Sequence, residues 1–130
     1  MKLTVVVYSA PYSSQAAWSA YQFTRAALTA GHEIYRLFFY ADGVHNTNAL
    51  SIPPQDEFDL VKAWQSLFAE HRIDAISCVS SALKRGVVDA QEADRYERLC
   101  NNLISEVTLS GLGQLVDATL VSDRVVSFGA

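Results

Sequence analysis

Short, nearly unbroken apolar runs alternate along the chain with longer stretches in which apolar residues recur every three or four positions. Lys2 to Tyr8 (K-L-T-V-V-V-Y) is the first run, rich in β-branched residues and hydrophobic at nearly every position, which predicts a strand covered on both faces. Glu33 to Tyr40, Ile73 to Val79, the short Val107 to Leu109 and Asp123 to Phe128 follow the same pattern. Between them lie helical stretches. Pro11 breaks the first strand, Ser13 or Ser14 is placed to cap a helix, and Ala17, Tyr21, Phe23, Ala27 and Leu28 carry its periodicity to Ala30, where Gly31 ends it. Leu60, Val61, Trp64, Leu67 and Phe68 form one apolar stripe in a second helix from about Glu57 to His71, and Trp64 reads as core. Asp89 and Glu92 make a capping-box-like start for a polar helix reaching about Leu99. Gly111 or Gly113 opens a last helix with Leu112, Leu115, Val116 and Leu120 on one side.

Strands alternating with helices predict βαβ units, a mostly parallel sheet and a three-layer α/β/α sandwich. At 130 residues the chain is expected to be one domain, residues 1–130, with no repeat or linker. In such a sheet the loops beyond the strands' carboxyl ends share one rim, and sites form there. The loops after Tyr8 and Tyr40 and the turn after Val79 are therefore expected to be neighbours. The loop from Ala41 to Asp56 is long for a compact domain, and its Gly, Asn and Pro-Pro content disfavours regular structure.

One thiol stands on that rim. Cys78 ends the Ile73 to Val79 strand and is followed at once by Ser80, Ser81, Lys84 and Arg85 on a predicted helical turn. The thiolate is the reactive form of cysteine, and a helix start beside it favours that form by up to about 1–2 kcal/mol, roughly one pKa unit. Lys84 and Arg85 would add to this if they turned back towards the sulfur. His45 is a candidate base or proton donor, and the hydroxyls of Ser13 and Ser14 are placed to approach from the first loop. The plainer reading stands beside this one: a lone cysteine on an apolar strand is more often a small buried hydrophobe, and a loop histidine more often solvated.

Composition narrows the classes. A net charge of −4 with only ten Lys and Arg argues against a nucleic-acid-binding surface. Cys78 and Cys100 lie 22 positions apart without C-x-x-C, too few for a disulfide framework and wrongly spaced for zinc. His32, His45 and His71 show no metal-ligand spacing. No run approaches the roughly 18 apolar residues of a membrane span, and the first apolar run is too short for a signal peptide. A cytoplasmic protein with reduced thiols is expected, with no metal and no cofactor.

Four separated motifs, F-F-Y-A-D-G-V-H-N-T-N (Phe38 to Asn48), D-E-F-D-L-V-K-A-W (Asp56 to Trp64), C-V-S-S-A-L-K-R-G-V-V-D (Cys78 to Asp89) and L-S-G-L-G-Q-L (Leu109 to Leu115), resemble the DsrE family, in particular its TusD-type sulfurtransferase subunits. The likeness runs over nearly the whole chain. It implies a five-stranded α/β/α fold and a catalytic cysteine that carries sulfur as a persulfide, matched here by Cys78. For the TusD type it implies sister subunits of TusB and TusC type in a hetero-hexamer, a TusA-like sulfur donor, a TusE/DsrC-like acceptor, and a pathway ending in 2-thiolation of the tRNA wobble uridine. The DsrEFH complex of sulfur oxidation implies the same chemistry with a DsrC-like recipient. Cys100 matches no functional position of the family.

Two readings of other classes remain. A flavodoxin-like flavin or nucleotide module would use the hydroxyls of S-A-P-Y-S-S-Q, yet that loop has no glycine for a close phosphate approach, and no G-x-G-x-x-G occurs. A non-catalytic scaffold subunit is the other, against which the matched Cys78 counts.

Overall fold

A computed structural model describes residues 1–129. Five strands, β1 (Lys2–Val7), β2 (Glu33–Phe39), β3 (Ala75–Cys78), β4 (Val107–Ser110) and β5 (Arg124–Phe128), form one sheet in the order β4-β3-β2-β1-β5. Every pairing is parallel. The helices α1 (Ala16–Thr29), α2 (Leu60–His71), α3 (Val79–Lys84), α4 (Ala90–Arg95) and α5 (Gly113–Val121) connect them. This is the α/β architecture predicted from the alternation of the two patterns.

The chain steps across the sheet from β1 to β4 in one direction and then returns to the far edge for β5. Crossovers of one hand therefore place α5 on the face opposite the other helices. Side-chain alternation along the strands separates two cores accordingly. Val5 and Val7 of β1, Leu37 and Phe39 of β2 and Ala75 of β3 pack with Ala17, Trp64, Phe68 and Ala82 of α1, α2 and α3. Val6, Phe38, Ile76 and Cys78 point the other way, where Tyr40 and Leu115 of α5 pack against them.

Helix boundaries follow local chemistry. Asp59 caps α2 by accepting from the Lys62 amide (3.1 Å), so the helix begins at Leu60, the first residue of the apolar stripe and three residues after the expected start at about Glu57. Asp89 caps α4 by accepting from the Glu92 amide (2.8 Å), but α4 stops at Arg95, short of Leu99. Gly31, at φ +89°, follows the end of α1 as expected of a glycine in that place. Ser14 accepts from the Ala16 amide (3.2 Å), although Gln15 is the residue at the cap position of α1.

Two expectations change. The Ala41 to Asp56 connection is not irregular throughout: Ala41–Thr47 is a 3-10 helix with a buried interior. In α5 the four apolar residues do not share one buried side. Leu115 is half-buried against the sheet, whereas Leu112, Val116 and Leu120, at spacing i, i+4, i+8, form an exposed outer ridge. Gly113 alone starts this helix, after Leu112.

Candidate functional site

Cys78 ends β3, and the first residue of α3 follows it directly. Its backbone occupies the cap position (φ −58°, ψ 122°), but its sulfur takes no capping hydrogen bond. The sulfur lies on the α5 face of the sheet with Val6, Phe38 and Ile76, and the residue is only 2% exposed. A thiol on the parallel sheet's carboxyl rim, next to a helix start, is the placement expected from the sequence. Its burial fits the plainer reading, in which a lone cysteine on an apolar strand is a packed residue, and side chains on the α5 face cover it.

The 3-10 helix builds the rest of the rim through buried polar bonds. Asn46 donates to the carbonyls of Ser9 (2.9 Å) and Gly43 (2.8 Å) and accepts from Trp64 Nε1 (3.2 Å), so all its amide groups are used. Thr47 donates to the Val44 carbonyl (2.6 Å) and shares a hydrogen bond with Ser77 Oγ (3.2 Å), the residue before Cys78. Gly43 lies so close to the Val7 carbonyl that a Cβ there would occupy its position, which explains the glycine of A-D-G. Ala41, in the left-handed region at φ +51°, gives its amide to Ser81 Oγ of α3 (3.1 Å). The segment is thus bolted to β1, α2, β3 and α3 together.

Arg85 does not turn towards the sulfur. Its Nε donates to Asp42 Oδ1 (2.8 Å) and its Nη1 to the Ser81 carbonyl (3.1 Å), tying the end of α3 to the 3-10 helix. The hydrogen bond and charge of Arg85 hold the Asp42 carboxyl below the usual carboxylate range. Lys84 is exposed in the last turn of α3, the end of that helix away from Cys78. His45 is half-buried on the 3-10 helix and makes no side-chain hydrogen bond to Cys78. Ser13 and Ser14 line a cleft of about 580 Å³ with Tyr12, Trp18, Glu57 and Phe58, between the starts of α1 and α2, which does not include Cys78. Cys100 is exposed and free. Of the candidates named from sequence, the structure brings the Ser81 and Arg85 segment and the His45 segment to one rim and leaves Ser13 and Ser14 on another cleft. Tyr40, which packs on the cysteine's cluster, escaped the sequence reading; its place two residues after Phe38 on the same face was the available signal.

A second polar cluster anchors α5 over this face. Arg36 is buried on β2 and bridges Asp74 (2.9 Å) before β3 and Asp117 (3.0 Å) of α5, and also donates to the Gln114 carbonyl (2.7 Å). Tyr35 donates to Asp117 (2.6 Å). That bond raises the Tyr35 phenol above its ordinary pKa, and the bonds from Tyr35 and then Arg36 hold Asp117 below its own.

The model of the DsrE/DsrF-like family matches residues 1–128. The chain belongs to that family. It is 46% identical over 129 residues to "Putative sulfurtransferase DsrE" of Allochromatium vinosum, covering 99% of each chain. Its fold is shared with the ychN protein from E. coli (TM-score 0.79, 19% identity, 98% of this chain and 99% of that one). The protein of unknown function MTH1491 from Methanobacterium thermoautotrophicum shares it more distantly (TM-score 0.65, 15% identity, 97% of each). At these identities the two structures speak for the fold alone. Among the described residues no cluster of three or more His, Cys, Asp or Glu could hold a metal ion, and no helix is long and apolar enough to cross a membrane.

Proposed function

We propose that this sulfurtransferase of the DsrE/DsrF-like family carries sulfur on Cys78. The observation that supports it best is the position of Cys78 at the carboxyl end of a central parallel strand, one residue before a helix, in a chain matched to the family over residues 1–128. The Cys78 thiolate attacks the outer sulfur of a donor persulfide. The donor's S–S bond breaks, a new S–S bond forms on Cys78, and the donor leaves as a thiolate. The second half-reaction is the same displacement with an acceptor thiolate, so sulfur moves without net oxidation. One cysteine suffices, because the persulfide is both product and next donor. The apolar neighbours Val6, Phe38 and Ile76 shield the loaded sulfur from stray thiols between the two steps.

A TusA-like protein is the donor in this reading, and sister subunits of TusB and TusC type complete a cytoplasmic hetero-hexamer. The acceptor is TusE-like where the pathway ends in tRNA wobble-uridine thiolation. The 46% identical relative carries the name DsrE, which favours a second reading with the same chemistry, a DsrEFH-type complex passing sulfur to a DsrC-like acceptor. Incubation with a protein persulfide donor and mass spectrometry tests the shared step. One added sulfur at Cys78, lost in Cys78→Ser and kept in Cys100→Ser, is expected. Transfer at the normal rate by Cys78→Ser sinks the assignment. Recovery of the acceptor with the complex from the native cell separates the two pathways.

A further inference from the structure

The strand register places a row of side chains along the rim on the α5 face. Val7 pairs with Phe39, Phe39 with Ser77, and Cys78 with Ser110. One step beyond, Tyr8, Tyr40, Cys78 and Ser110 therefore stand side by side on four adjacent strands. The amides of Tyr8 and Tyr40 continue the ladder, donating to Phe128 (2.8 Å) and Val7 (3.0 Å). The two rings meet edge to face with centroids 6.0 Å apart. Tyr8 is buttressed from its other side by Gly129, where an added Cβ would come within 3.1 Å of the Tyr8 ring.

We infer that Tyr40 is the gating and positioning residue for Cys78: its ring is the removable wall over the sulfur, steadied by Tyr8, and sulfur enters past it. The inference rests on Cys78 being the carrier. Displacement at sulfur needs an open line of approach, and a residue 2% exposed has none until something moves. Below the sulfur lie Val6, Phe38 and Ile76, which are packed core. Two half-buried hydrophobic side chains pack against this cluster, Leu115 and Tyr40. Leu115 is carried by α5, so clearing its side of the sulfur takes the helix as well as the side chain, and α5 is held by Arg36 and Tyr35 through Asp117. Tyr40 is the last residue before the 3-10 helix, and its phenol makes no hydrogen bond among the described residues. Its displacement loses the edge contact with Tyr8, which is itself 39% exposed, and its packing on the cluster, but breaks no hydrogen bond or ion pair of its side chain among the described residues. The ring is the cheaper of the two motions, and side-chain rotation is far faster than movement of a helix.

Alkylation of the folded protein by iodoacetamide, followed at each cysteine by mass spectrometry, tests this without any sulfur donor. Exposed Cys100 serves as the internal reference. Tyr40→Ala is expected to raise the Cys78 rate, relative to Cys100, by about tenfold or more, Tyr8→Ala by a few-fold, and Tyr40→Phe to keep the wild-type rate. In the wild type the Cys78 rate should stay flat in low urea, because ring motion exposes little surface, whereas exposure through unfolding climbs with urea. A wild-type rate in folded Tyr40→Ala overturns the inference. So does a wild-type rate in Tyr8→Ala should Tyr40→Ala fail to fold, or a Cys78 rate that climbs with urea from the start. Persulfide loading of the same variants keeps the questions apart: an accelerated alkylation with no loading of Cys78 would leave the gate standing and remove the carrier.

Discussion

On one side of the sheet, α1, α2 and α3 bury a continuous core in which Trp64 meets Tyr21, Phe39 and Phe68, all at ring separations of 5.2–5.5 Å. On the other side, Leu115 of α5 and Tyr40 at the rim cover a four-residue cluster, and α5 is tied to β2 by Arg36 and Tyr35 through Asp117. The strand edges there, at Thr108 and at Val125 and Ser127, are open to solvent. Stability is concentrated on the first face, where the burial of large aromatic side chains contributes most. The thiol sits on the second, in a thin cover that can open without disturbing the main core. Reactivity at Cys78 and persistence of the fold are thereby separated across the thickness of a sheet.

The largest test of this division is Trp64→Ala. Truncation empties the centre of the aromatic cluster and leaves the Asn46 carbonyl oxygen without its donor, so a loss of about 3–5 kcal/mol is expected by urea denaturation. Leu115→Ala, on the thin face, should cost only about 1–2 kcal/mol, since that side chain is half-buried. Equal losses at the two positions would break the comparison.

A smaller effect sharpens what holds α5. Asp117 has a depressed pKa in the folded protein, so its contribution is complete above the ordinary carboxylate value of about 3.9 and fades as pH falls through the lower, folded one. Tyr35 has a raised pKa, so its contribution is complete below about 10 and fades as pH rises through the higher, folded one. The Tyr35–Asp117 hydrogen bond is the largest cause of both limbs, with Arg36 adding to the acid one. Asp117→Asn should flatten the pH dependence of stability at the acid end and at the alkaline end together, as followed by thermal melts across pH. A variant that altered the acid limb and left the alkaline limb intact would show that the Tyr35–Asp117 bond does not couple them.

How much of this was legible from the residues differs between the same two faces. The strands, α1 and α2 are written in local pattern, because each buries a stripe or a face whose period is visible in a window of a dozen residues. The position of Cys78 at a strand end on the carboxyl rim followed from that pattern alone. The 3-10 helix at Ala41–Thr47 did not, since it is stabilised by Asn46 and Thr47 bonding to groups far away in sequence, in a segment whose composition says loop. Whether Arg85 turns towards the sulfur was left open by the residues, because sequence gives proximity without direction; its partner, Asp42, lies 43 positions away. The covering of Cys78 by Tyr40 depends on strand order, which no local window contains. The outer ridge of α5 misled for another reason: apolar spacing at i, i+4, i+8 looks the same whether it faces a sheet or solvent.

That ridge supplies the smallest expected effect. Val116 and Leu120 are 58% and 81% exposed, so in the isolated chain each has little apolar burial to lose. Val116→Ser and Leu120→Lys should each change the unfolding free energy by less than about 0.5 kcal/mol, within the range of ordinary surface substitutions. The measurement is informative because of what a larger value would mean. A loss above about 1 kcal/mol that grew with protein concentration could arise only if the outer side of α5 were covered in solution, since mass action ties stability to concentration when the folded form has a bound partner. The thin face would then be thin only in the single chain, and the cover over Cys78 would include a second protein surface beyond Tyr40 and Leu115. A null result at both positions, at every concentration, keeps the division as drawn: one face that holds the fold, and one that leaves the thiol within a side chain's reach of solvent.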